Sequence, residues 1–245
     1  LVPISVGMSG SVVARVERAD EVDLVLKVVE RGSASPSLAP EAERLRWLDG
    51  RFPVAEVVQH DLDADAEWLV TTALDGQDAT TSPVATDPGR LATLLGEHLR
   101  ALHELDPSDC PFDASTASLV DHARAQVAAG RVDPADFQPL HQGLTPEELL
   151  ALVVSSAPEE PEEPVVTHGD YCLPNIVLRA DGTLAGVVDV GLLGVGDRYR
   201  DLGIGARSVA RNLGPTAVGA FIDGYGLDRP DLARLDAFVM IDELF

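Results

Sequence analysis

Short apolar, β-like runs alternate with turns in the first part of the chain, and the pattern changes after Asp75-Gly76. Residues 11–16, 24–29, 54–60 and 68–71 are short β-like runs bounded by turns, which together read as an antiparallel sheet. Between the second and third runs, residues 39–48 place Leu45 and Leu48 at helical spacing behind Pro40, a residue suited to a first helical turn. The opening residues Leu1-Val2-Pro3, without a Met, already read as strand. This order of strands around one helix predicts a small antiparallel sheet.

Beyond residue 75 the apolar period becomes helical. Leu91, Leu94, Leu95, Leu99 and Leu102 repeat at i, i+3, i+4 and i+7 over residues 88–105. Further helices are expected at 116–129, 145–155, 199–213, 215–225 and 230–244. Glu159-Glu160-Pro161-Glu162-Glu163-Pro164 reads as a solvated acidic connector. The chain therefore divides into 1–74, a sheet-rich lobe, and 75–245, a mainly helical lobe.

Composition narrows the function classes. With 45% hydrophobic and 24% charged residues the chain can bury a core, and no apolar run approaches the roughly 18 to 20 uncharged residues of a membrane span. A cytoplasmic protein is expected. The 41 acidic against 18 basic residues give a formal charge of -23, which repels phosphate backbones and anionic lipid and draws in cationic small molecules. Nucleic acid and membrane are excluded as partners. Cys110 and Cys172 have neither the number nor the spacing of a disulfide framework or zinc site, and both read as packing residues.

The candidate chemistry sits in Val165-Val166-Thr167-His168-Gly169-Asp170, Asn175 and Asp189-Val190-Gly191. Residues 176–178 and 184–188 flank the turn Ala180-Asp181-Gly182, and a hairpin there sets Asn175 beside Asp189. Phosphoryl transfer to a hydroxyl needs a carboxylate to orient the nucleophile and accept its proton, and Mg²⁺ needs hard oxygen ligands against the phosphates. Asp170 suits the first task; Asn175 and Asp189 suit the second. Taken singly, each of the three also reads as a turn or strand cap, and their order behind apolar runs favours the kinase reading.

With Cys172-Leu173-Pro174-Asn175-Ile176, the same loop resembles the catalytic loop of the aminoglycoside phosphotransferases, in particular the branch acting on the 3′-hydroxyl of kanamycin and neomycin. Leu193-Gly194-Val195, Asp197-Arg198-Tyr199, Asp201, Leu102-His103, Cys110-Pro111-Phe112-Asp113 and the closing Ile241-Asp242-Glu243-Leu244-Phe245 extend the likeness along the whole chain. The resemblance implies an α+β, protein-kinase-like two-lobed fold, with a small antiparallel-sheet N-lobe carrying one helix and a mainly helical C-lobe. It implies ATP or GTP with Mg²⁺ as nucleotide and metal, a cationic aminoglycoside as substrate, and a monomer or dimer.

The same resemblance distributes the roles. Asp170 is the catalytic base, with His168 bracing its loop, and Asn175 and Asp189 are the metal ligands. Gly7, Ser9, Gly10 and Ser11 form the loop over the phosphates, Lys27 reaches those phosphates with Glu41 behind it, and Thr72 and Leu74 belong to the hinge that meets adenine. Arg207, Asp242, Glu243 and the terminal Phe245 join Asp170 on the acceptor side. Two departures fall on that side: Leu192 stands where the family usually has Arg, and Gln138 and Pro139 stand where acids are common. They leave a kinase for streptomycin or another small hydroxyl compound as the rival reading, with a non-catalytic nucleotide-binding pseudokinase behind it.

Overall fold

A computed structural model describes residues 2–6, 11–19, 21–33 and 35–245. They pack into two compact units, one of Leu1–Pro83 with Pro174–Leu192, the other of Val84–Leu173 with Leu193–Phe245. A chain segment from the second half thus returns to the first unit, which a single cut at residue 75 does not express. No helix among the described residues is long and apolar enough to cross a membrane.

In the first unit, β1 (Val2–Val6), β2 (Val12–Val16), β3 (Leu24–Glu30), β4 (Val57–Leu62) and β5 (Ala66–Thr72) form an antiparallel sheet in the order β1-β2-β3-β5-β4. Helix α1 (Ala39–Leu48) buries Ala42, Leu45 and Leu48, the face its spacing predicts. A second sheet has the order β6 (Gln77–Asp78), β8 (Ile176–Leu178), β9 (Leu184–Val187). The Val187 N–H donates to the Pro53 carbonyl at 3.1 Å, which ties this returning hairpin to the residues leading into β4.

The second unit is built on α2 (Pro88–His103), whose Leu91, Leu95, Leu99 and Leu102 are at most 1% exposed. Each such side chain contributes about 1.5 to 3 kcal/mol of burial. Around it stand α3 (Thr116–Ala128), α4 (Pro146–Ser156), α5 (Tyr199–Leu213), α6 (Val218–Tyr225) and α7 (Leu232–Asp242). A Cβ built at Gly224 would lie 2.3 Å from the Thr93 carbonyl oxygen, and one at Gly96 would lie 2.2 Å from that of Phe221. Only glycine lets α2 and α6 approach so closely.

Three differences from the sequence reading have local causes. Thr145 and Glu148 form a capping box, so α4 starts at Pro146 with Thr145 as its cap. Asp231 accepts the Ala233 and Arg234 N–H groups at 3.0 and 3.1 Å and starts α7 two residues later than expected. The antiparallel pair β7 (Pro164–Thr167) and β10 (Gly194–Asp197) was not expected at β10, because Gly194-Val195-Gly196 shows no alternation. Its glycines are needed: a Cβ at Gly196 would meet the Ala114 carbonyl oxygen at 2.5 Å.

Candidate active site

In the first unit, antiparallel register sets Lys27 on β3 between Val13 and Leu69. Its Nζ lies 2.8 Å from Glu41 Oε2 and 2.5 Å from Asp189 Oδ1. Glu41 sits in the first turn of α1, where a helix dipole favours an acid. Burial disfavours the Lys27 ammonium, but Glu41 and Asp189 outweigh it and raise the Lys27 pKa. The same burial, with Asp189 nearby, raises the carboxyl of Glu41 even though Lys27 pulls it down.

Asp189 has φ 56°, the one positive φ at a non-glycine residue among the described residues. Such a conformation costs on the order of 1 to 3 kcal/mol, less for aspartate than for most residues. The Val188 N–H donates to the Asn175 carbonyl at 3.0 Å, so the hairpin does bring Asn175 and Asp189 to neighbouring positions. Asn175 is buried, whereas the Asp189 side chain is half exposed. Both present hard oxygen donors, the class that suits Mg²⁺ when phosphates and water complete its shell. Leu192, where an arginine was expected, is 38% exposed at the end of the turn after Asp189.

Of the other nucleotide-side residues, Ser11 is buried at the start of β2. The loop residues Gly7, Ser9 and Gly10 lie outside the described residues. Thr72 ends β5 and donates its N–H to the Glu56 carbonyl at 2.9 Å. Leu74 lies against Gly186, where an added Cβ would come within 2.9 Å of both Leu74 methyls.

In the second unit, Asp170 sits on a loop held from several sides. Gly169 has φ 91°, which turns the chain so that the Asp170 N–H donates to His168 Nδ1 at 3.2 Å. Asp201 on α5, fully buried, accepts the N–H groups of His168 (2.6 Å) and Gly169 (2.8 Å) and lies 3.0 Å from His103 Nε2. His103 Nδ1 in turn lies 2.9 Å from the Tyr225 hydroxyl. Burial would push Asp201 up, but His103, His168 and Arg200 outweigh it and hold its pKa below the ordinary value. The Tyr171 hydroxyl donates to the Leu95 carbonyl at 2.8 Å, and the Leu173 N–H to Ser208 Oγ at 3.0 Å. This bracing is a role that sequence reasoning did not assign, although Asp201, in the first turn of α5, was among the residues that carry the resemblance.

The C-terminal acids are also engaged. Asp242 pairs with Arg207 across α7 and α5. Its carboxyl is raised by burial and by Asp170, against the pull of Arg207. Glu243 accepts the Gln138 N–H at 3.2 Å and lies 2.9 Å from His141 Nδ1. The Phe245 ring stacks on His122 at 4.6 Å and has the Arg200 guanidinium 5.9 Å from its centre. Arg200, Phe238, Ile241, Asp242 and Phe245 line one recess.

Comparison with known proteins shows the family. The model of the phosphotransferase enzyme family matches residues 1–238. An aminoglycoside 3′-phosphotransferase of Streptomyces fradiae is 37% identical over 99% of this chain and 94% of its own length. A crystal structure of an aminoglycoside-3′-phosphotransferase of type VIII superposes with TM-score 0.89 at 34% identity, covering 100% of this chain and 93% of the other. An aminoglycoside phosphotransferase of Streptomyces rimosus, solved with ADP and streptomycin, superposes with TM-score 0.82 at 27% identity, over 99% of this chain and 91% of the other.

Proposed function

Since this chain belongs to the aminoglycoside phosphotransferases within the phosphotransferase enzyme family, we propose that it transfers the γ-phosphoryl group of ATP to the 3′-hydroxyl of an aminoglycoside and so confers resistance. The observation that carries the reading is Lys27 held between Glu41 and Asp189. An ammonium has three N–H groups; two go to these carboxylates, and the third is suited to a nucleotide phosphate. The ADP bound to the Streptomyces rimosus relative supports a nucleotide here, with Ser11 toward its phosphates and the Thr72–Leu74 stretch at its base.

Asp170 orients the acceptor hydroxyl and takes its proton as the hydroxyl oxygen bonds to the γ-phosphorus. The bond from that phosphorus to the bridging oxygen breaks, and ADP leaves with the electron pair. The loop carrying Asp170 has little freedom because Asp201 holds the two preceding amides, so the carboxylate is positioned before substrate arrives. Asn175 and Asp189 would hold Mg²⁺, which when bound neutralises the charge building on the phosphate oxygens. Lys27 adds to that neutralisation from the protein side.

On the acceptor side, Asp242 at the end of α7 attracts ammonium groups, aided by the formal charge of -23, and Arg207 orients it. Streptomycin bound to the Streptomyces rimosus relative keeps a second acceptor in view.

A coupled ADP-release assay with ATP and GTP tests the reading on kanamycin, neomycin, ribostamycin, lividomycin and streptomycin, with Asp170→Asn as control. Turnover is expected on kanamycin and ribostamycin, none on lividomycin, which lacks the 3′-hydroxyl, and none with Asp170→Asn. Turnover on streptomycin alone would move the substrate assignment, and nucleotide binding with no turnover on any acceptor would leave a pseudokinase.

A further inference from the structure

We propose that Glu67 is a positioning residue on the nucleotide side: it grips the residues that enter α1 and thereby sets Glu41 against Lys27. The proposal rests on the phosphotransferase reading above.

Along β5 the buried positions are Glu67, Leu69 and Thr71, with the less buried Trp68 and Val70 between them. An acid in such a row is costly unless its oxygens are satisfied. Antiparallel register sets Glu67 opposite Val29 and Leu69 opposite Lys27, so Glu67 and Lys27 stand on one face of the sheet, a row apart. Lys27 reaches Glu41 on α1. Glu67 Oε1 accepts the Ser37 hydroxyl at 3.0 Å and lies 2.8 Å from His60 Nε2. A carboxylate only accepts, so His60 Nε2 carries the proton and donates. Burial would raise the Glu67 carboxyl, but His60, the Leu38 backbone N–H and Ser37 outweigh it and hold its pKa below the ordinary value.

Ser37 and Leu38 are the last residues before α1. Leu38 occupies the cap position and offers the helix no side-chain hydrogen bond. Ser37 Oγ accepts the Ala39 N–H at 3.2 Å while its hydroxyl donates to Glu67. Glu67 therefore supplies from the sheet the anion that this helix start lacks in its own cap. Glu41 follows one turn later, so the same sheet face holds α1 twice, through Glu67 at its entry and through Lys27 at Glu41. With the entry released, the first turn is free to rotate, and Glu41 loses its fixed place beside the ammonium. His60, on the edge strand β4, restrains the carboxylate from the sheet side.

Steady-state kinetics with ATP and kanamycin on Glu67→Ala, Glu67→Gln, Ser37→Ala, Glu41→Ala and the Glu67→Ala/Glu41→Ala double variant test the proposal. In Glu67→Ala, kcat/KM for ATP is expected to fall about tenfold, the equivalent of one charge-assisted hydrogen bond, while the KM for kanamycin stays within about twofold. Glu67→Gln keeps an accepting oxygen and stays within about threefold of the parent. Ser37→Ala removes one donor and leaves the Leu38 N–H, at a loss of about threefold. Glu41→Ala falls at least as far as Glu67→Ala, and the double variant is no worse than Glu41→Ala, because Glu67 acts through Glu41.

A lowered thermal midpoint in Glu67→Ala with kcat/KM for ATP unchanged would make Glu67 structural only and overturn the proposal. So would additive losses in the double variant, or a kanamycin KM raised as much as that for ATP. Where Glu67→Ala does not fold, Ser37→Ala carries the test, and an unchanged kcat/KM for ATP there overturns the proposal. If the parent protein turns over no aminoglycoside, the function reading fails, and calorimetric affinity for ATP with Mg²⁺ takes the place of kcat/KM. The same order of losses then upholds the role of Glu67; equal affinity in every variant, or none in the parent, overturns it.

Discussion

The charges around Lys27 and those at the end of α7 both form closed sets, yet they are built to different ends. In the first unit one cation serves two carboxylates, and one of these, Asp189, stands half exposed on a left-handed backbone. In the second unit two acids adjacent in sequence are served separately, Asp242 by Arg207 and Glu243 by His141 with the Gln138 N–H. A shared cation between two anions leaves negative charge and a donor over, which suits a phosphate and a metal ion. Separate partners leave less spare charge, so the acceptor side depends more on where its acids are held than on how many it has. This contrast places phosphoryl transfer on firmer chemistry than any particular antibiotic.

Variants sharpen the contrast in decreasing order of effect. Asp170→Asn removes the proposed proton acceptor while keeping the shape, and kcat is expected to fall by about 10² to 10⁴ with the thermal midpoint unmoved. Lys27→Met takes one charged donor from the phosphates, and kcat/KM for ATP is expected to drop by roughly 10- to 150-fold. The KM for the acceptor stays near the parent value, because the loss is confined to the nucleotide side. Asp242→Asn reverses the pattern: the acceptor KM rises about tenfold and the KM for ATP does not change.

The smallest effect is on stability against pH. Asp201 has a folded pKa below its unfolded value, so its contribution is present above the unfolded value and is lost as pH falls through the folded one. Urea denaturation is expected to show parent stability falling as pH drops below about 4. The fall is smaller in Asp201→Asn, which has no such proton to bind; an equal fall in both would remove Asp201 from the account.

What the sequence made legible was local. Helices α1 and α5 were expected at the bounds they have, because periodicity and flanking residues sit within each segment. The hairpin of β8 and β9 followed from a turn between two apolar runs, and with it the neighbouring places of Asn175 and Asp189. The Asp201 network was not legible, since the meaning of a buried aspartate comes from His103, ninety-eight residues earlier, and from the amides it receives. Nor was the tie of His141 to Glu243, where the resemblance implied a residue of the acceptor site. The glycines of β10 hid a strand because they were selected by contact with Ala114, which no periodicity records.

The most direct test of the central claim is to locate the phosphate on the product. Kanamycin incubated with ATP, Mg²⁺ and the protein should give one product whose phosphorus NMR couplings place the phosphate on the 3′-oxygen, and Asp170→Asn at equal concentration should give almost none. A phosphate on another hydroxyl would contradict the 3′ assignment, and undiminished product from Asp170→Asn would contradict the role of Asp170 as the base.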